Sequence, residues 1–114
     1  MNKRNKLSSS ILAVLALGFT AIASPAFAAT TSSLQVNSIE LTSGGSAYVH
    51  FNKNLNSAPC TNKDMIYFDA TTAAGKNFYT EMLSAYMAAK GVSVSYNAAC
   101  VSNTATMTWM HIYN

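Results

Sequence analysis

The chain has 114 residues, 50% of them hydrophobic and only 10% charged, with a formal net charge of +3. That length holds one domain. Lys3, Arg4 and Lys6 crowd the start, while in the rest Lys53, Lys63, Lys76 and Lys90 balance Glu40, Asp64, Asp69 and Glu81. A neutral body has no basic stripe to release counterions from phosphates, which argues against nucleic acid as a partner and against a polybasic membrane-surface role.

Residues 1–28 have the layout of an export signal. A basic start leads into the apolar run Ile11 to Ala23, then Ser24-Pro25-Ala26-Phe27-Ala28 with small residues at −3 and −1. The run falls short of the roughly 20 residues a membrane span needs, and Pro25 follows it closely. The expectation is cleavage after Ala28, leaving 29–114 as a single secreted or periplasmic domain free of the membrane. Cys60 and Cys100 are the only cysteines. In an exported chain of this size they read as one disulfide. Closing a 41-residue loop (60 through 100) is worth about 4 kcal/mol in the loop-entropy picture. With no CxxC spacing, a metal site is a weak alternative.

Along the mature chain, residues 29–33 are small and polar and read as a frayed end. Leu34 to Leu41 alternates with a phase change near Asn37-Ser38, the mark of a bulged strand. Ser43-Gly44-Gly45 signals a turn into a second strand, Ala47 to Asn52, so the two form a hairpin. Residues 53–63 read as a loop, and Met65 to Phe68 as a short strand with apolar side chains on both faces. Thr71 or Thr72 caps a helix over Ala73 to Lys90, weakened at its start by Gly75 and closed by Gly91. Phe78, Met82 and Tyr86 follow the helical period and are expected in the core. Val92 to Tyr96 is a strand, Asn97 to Ala105 a loop carrying Cys100, and Thr106 to Tyr113 a last strand. Strict alternation would put Met107, Trp109, His111 and Tyr113 on one face of it. The expected fold is α+β: a small antiparallel five-stranded sheet or OB-like barrel with one helix between strands 3 and 4.

No GxSxG, HExxH or phosphate-binding glycine loop is present, the four carboxylates are scattered, and His50 and His111 lack a spaced third ligand. A non-enzymatic protein with no cofactor and no metal is expected. The polar composition points elsewhere. Ser, Thr and Asn make up 29 of the 86 residues from Ala29 onward, beside ten aromatics and eight charged residues. Hydroxyls and amides next to exposed rings suit an uncharged, hydroxyl-rich ligand, because sugars offer C–H faces to rings and hydroxyls to Asn and Ser. Tyr48, His50, Asn52 and Trp109 are the candidate ligand-contacting residues. A periplasmic protein-binding module, an inhibitor or envelope accessory subunit, is the alternative.

The run from Cys60 through Ala73-Ala74-Gly75-Lys76-Asn77-Phe78-Tyr79, then Leu83-Ser84-Ala85, Lys90 to Val94 and Cys100, looks like that of small exported bacterial proteins. More distantly, it resembles the B subunits of AB5 toxins of the subtilase-cytotoxin and pertussis-like type. The similarity covers roughly residues 47–113. It implies an OB-fold, a ring-forming homo-oligomer, a toxin A-subunit as partner and glycan binding, while no matching motif places the family's sugar contacts on this chain.

Overall fold

The computed structural model describes residues 28–114. The expected signal segment, apart from Ala28, lies outside the described residues. The elements are β1 (Ala28–Leu34), β2 (Val36–Leu41), β3 (Ser46–Phe51), β4 (Asn62–Asp69), helix α1 (Ala73–Ala88), β5 (Gly91–Val101) and β6 (Thr104–Tyr113). They form one six-stranded sheet in the order β1-β5-β6-β4-β3-β2. All pairings are antiparallel except β4 with β6. The two edge strands are consecutive in the chain with only Gln35 between them, so the sheet must curl towards itself. The result is a curled, roughly OB-like half-barrel carrying one helix.

Three expectations about the sheet and the helix position are corrected. There are six strands rather than five, the sheet is mixed, and the helix falls between β4 and β5. The cause is the segment read as a frayed end. Thr30 and Thr31 are β-branched and pair with Ser95 and Val94 of β5, which makes that segment β1. The phase change expected at Asn37-Ser38 is present as a shift of the β2–β3 register between Val36 and Ser38, and the segment Leu34 to Leu41 is also broken just before it. Ser33 adopts φ 60°, and β1 turns at Gln35 into β2. Asn52 fastens the bend from the far end of β3. Its side-chain oxygen accepts from the Gln35 N–H at 3.0 Å, and its own N–H donates to the Gln35 carbonyl at 3.0 Å.

The core lies on the concave side of the sheet. Leu34, Val49, Phe51, Ile66, Phe68, Val92 and Val94 are each at most 2% exposed, and Met82 of the helix is fully buried among them. Tyr96 is also fully buried, and its hydroxyl closes a polar triangle. It donates to the Asn56 carbonyl, the Thr31 hydroxyl lies 2.8 Å from it, and the Asn56 N–H donates to Thr31 Oγ1 at 2.7 Å. Every polar atom of the triangle is paired, which holds the loop after β3 against β1 and β5 at no desolvation cost from an orphaned group. The Cys60–Cys100 disulfide, with Cα atoms 5.8 Å apart, fixes the same loop to the end of β5. Asn62 completes the clamp by donating its amide to Ser102 O and Thr104 Oγ1 at 3.3 and 3.1 Å.

The loop expected over 97–105 is instead the meeting of two long strands. β5 runs to Val101, and Ser102 and Asn103 turn the hairpin with φ of 49° and 63°. Positive φ at both central residues matches the right-handed twist of the flanking strands. Helix α1 starts as expected, with Thr72 Oγ1 accepting from the Gly75 N–H at 2.9 Å. It ends earlier. Ala89, in the left-handed region, closes it, and Gly91 opens β5 instead of ending the helix. Gly75 is where α1 meets β4. A Cβ there would stand 1.7 Å from the Asp69 carbonyl oxygen. Phe78 packs edge-on to Phe68, centroids 5.7 Å apart. Tyr86, expected in the core, is 44% exposed.

Candidate ligand-binding face

The outer surface of the sheet carries two separate aromatic tracts. The first spans β2 to β4. Glu40, Tyr48 and Tyr67 lie opposite one another across the three strands, as do Ser38, His50 and Met65. The Tyr48 and Tyr67 rings pack at 5.5 Å with a 47° tilt. His50 Nε2 lies 2.6 Å from a Glu40 carboxylate oxygen, so this tract carries an ion pair whenever the imidazole is protonated.

The second tract lies on β5 and β6. β5 alternates in a way the sequence already displays: Val92, Val94 and Tyr96 point inward, while Gly91, Ser93 and Ser95 stand on the other face. Opposite those three small residues are Tyr113, His111 and Trp109 respectively. The three rings form a ladder. Trp109 and His111 are 6.0 Å apart and 9° from parallel, and His111 and Tyr113 are 6.2 Å apart and 16° from parallel. A Cβ on Gly91 would come within 2.9 Å of the Tyr113 ring, so the absence of a side chain lets that ring lie across β5. Ser93, beneath the His111 register position, is only 9% exposed. Beyond β5, the Thr30 hydroxyl is 2.7 Å from that of Ser95, extending the hydroxyl border onto β1.

Strict alternation placed Met107 on the same face as Trp109. The structure separates them. Tyr96 pairs with Met107 but Ser95 pairs with Trp109, so Thr108 is an extra residue in β6. That bulge resets the phase. Met107 and Met110 are 4% and 8% exposed, whereas Trp109 is 47% exposed.

The four residues singled out from the sequence are therefore not one cluster. Tyr48 and His50 share the β2–β4 tract, Trp109 belongs to the β5–β6 ladder, and Asn52 spends its side-chain oxygen on the Gln35 backbone. His111 and Tyr113 stand beside Trp109, with Gly91, Ser93, Ser95 and Thr30 around them. The signal for the ladder was the Gly-Val-Ser-Val-Ser alternation of β5, small residues at every second position, facing rings at every second position of β6.

Charge is sparse around the ladder. Lys90 lies at its Tyr113 end, where Nζ donates to the Asn114 side-chain oxygen. Among the described residues no three His, Cys, Asp or Glu side chains gather as a metal site would require, and no enclosed pocket occurs. Among the described residues the one titration distinctly displaced is that of Asp69, at the end of β4. The Thr71 hydroxyl, and then the Thr71 backbone N–H, donate to its carboxylate at 2.7 and 2.9 Å and hold its pKa below the ordinary 3.8. That group caps a turn and stands apart from both tracts. No described helix is long and apolar enough to cross a membrane. Comparison of the sequence with protein-family models and with curated proteins gives no match.

Proposed function

We propose that this chain is an exported, non-enzymatic binding protein whose β5–β6 face takes a glycan, in the manner of a toxin B subunit. The observation that carries this reading is the ladder of Trp109, His111 and Tyr113 beside the hydroxyls of Ser95 and Thr30. Trp109, exposed and stacked against another ring on one side only, offers a polarised face to the C–H side of a sugar, and the hydroxyl border offers donors and acceptors to its edge. The scarcity of charge suits a neutral ligand. The finer fold assignment belongs to the same proposal. Counted as one strand bent at Gln35, β1 and β2 would make a five-stranded OB-like barrel with its helix after the third strand. The disulfide is consistent with a secreted or periplasmic location. A ring-forming homo-oligomer and a toxin A-subunit are the partners this reading implies.

The test is a glycan array probed with mature protein and with Trp109→Ala and Tyr48→Ala made separately. Retention lost in Trp109→Ala and kept in Tyr48→Ala supports the ladder as the site. A protein-binding module is the second reading, favoured by one further observation: Leu83, Tyr86 and Met87 are 39, 44 and 77% exposed on neighbouring turns of α1. Aromatic residues and Met are enriched where protein partners dock. Absence of retention on any glycan would transfer the assignment to that reading.

A further inference from the structure

We infer that processing and folding of this chain are ordered: the Ala28–Ala29 bond, where the leader is expected to be cut, lies inside β1, so cleavage precedes the pairing of β1 with β5. The inference rests on the export reading and is independent of the glycan. Ala28, Ala29, Thr30 and Thr31 stand opposite Asn97, Tyr96, Ser95 and Val94. The bond to be cut therefore joins two paired residues, and the residues after it are tied down further. Ala29 packs against the core. The Thr30 hydroxyl lies 2.7 Å from that of Ser95, and the Asn56 side-chain amide donates to the Thr30 carbonyl at 3.5 Å. Thr31 is 1% exposed, with its hydroxyl in the polar triangle it forms with Tyr96 and Asn56.

A signal peptidase takes its substrate as an extended segment laid in its own cleft, reading the small residues at −3 and −1. A segment already held against a sheet has to come away first, and the cleavage rate then follows the population of that opened state. Opening here parts β1 from β5 and breaks the polar triangle, because Thr31 follows so closely on the bond. The place of β1 in the sheet is what lets it join last. It is an edge strand, and its partner β5 is already paired on the other side with β6. The disulfide ties the loop after β3 to β5 without any part of β1. The rest of the sheet can thus assemble while residues 28–34 are still free for the peptidase.

The test uses the full-length precursor and purified signal peptidase in detergent micelles. The peptidase is added either as the precursor is diluted out of urea or after it has refolded with its disulfide formed, with circular dichroism as the measure of folding. The expected result is cleavage at Ala28–Ala29 that is slower by about tenfold or more when the peptidase comes second. A short Gly/Ser insertion after Ala29 moves the bond off the sheet while keeping the residues at −3, −1 and +1, and should restore cleavage of the refolded precursor. Tyr96→Phe removes the hydroxyl that joins Thr31 to Asn56 at a position far in sequence from the bond. It should speed cleavage of the refolded precursor and leave the rate on the unfolded chain unchanged. Thermal unfolding of each variant confirms that it is folded. A precursor that reaches the native spectrum only once it is cut gives the same order of events. Equal rates for the two orders of addition, or a refolded precursor as resistant with the insertion as without it, overturn the inference and leave the export reading standing. No cut during refolding, or a cut at another bond, overturns cleavage after Ala28 itself.

Discussion

Replacing Gly75 by alanine sets two physical effects of opposite sign against each other. In an unconstrained helix the change is favourable by up to about 1 kcal/mol, because glycine is a poor helix former. Here the new methyl would stand 1.7 Å from the Asp69 carbonyl oxygen, 2.6 Å from its carbon and 3.0 Å from Ala70 Cα. All three are backbone atoms, so no rotamer change relieves the contact. The first turn of α1 has to move off β4 by more than about 1 Å to restore van der Waals separation. Overpacking of this kind costs about 1–3 kcal/mol. The movement also pulls Gly75 N–H from Thr72 Oγ1, a cap bond worth about 1 kcal/mol. After the propensity gain the net loss is about 1–3 kcal/mol, or roughly 4–24 °C in melting temperature for a domain of this size. Circular dichroism melts of the mature protein measure it. Asn77→Ala, at an exposed position of the same helix, is the control and should be neutral or slightly stabilising. A Gly75→Ala protein that melts at or above the wild-type temperature would refute the close approach of α1 to β4.

Three further outcomes are expected. Cys60→Ser with Cys100→Ser should lower stability by about 4 kcal/mol or less, read in denaturant melts with and without reductant, and two freely alkylated thiols in native exported protein would contradict the bond. The Asp69 carboxyl, followed by NMR, should titrate below 3.8 and move up in Thr71→Val. Because the folded-state value is depressed, its contribution to stability is present above the unfolded value and fades as pH falls through the folded one; an unchanged midpoint in Thr71→Val would reject the hydroxyl as cause. N-terminal sequencing of exported protein should begin at Ala29, which leaves β1 intact but for its first residue, and a product retaining residues 1–28 would reject cleavage there.

The sequence disclosed most where one physical rule acted alone. The β2–β3 hairpin, the Thr72 cap and the buried face of β5 followed from turn residues, a cap hydroxyl and strict alternation. It failed where a contact distant in sequence decided the outcome. Thr30 and Thr31 looked like an unstructured end, because the strand they pair with lies more than sixty residues away. Gly75 looked like a weakness of the helix, because the carbonyl it accommodates belongs to β4. Tyr86 lies on the helical period, yet Met82 and Ala85 fill the contact with the sheet and Tyr86 is left 44% exposed. The site was half legible. Trp109 and its neighbours were visible as an alternating strand, but the bulge at Thr108 decides which side they occupy, and a bulge leaves no mark in an unbroken alternation. The Asn52 side-chain oxygen, a candidate ligand contact by residue type, is taken by the bend at Gln35.

Ligand contact by the exposed Trp109 ring decides the role of the β5–β6 face. Calorimetric titration of the tightest array glycan into wild-type protein and into Trp109→Ala, with melting temperatures taken on the same samples, tests this most directly. With 47% of the residue exposed, truncation should shift the melting temperature by only a few degrees, unlike loss of a core aromatic at about 3–5 kcal/mol. Affinity is expected to fall about tenfold or more while the fold persists. Equal affinity in the two proteins, or a variant that loses binding only because it has unfolded, would contradict it.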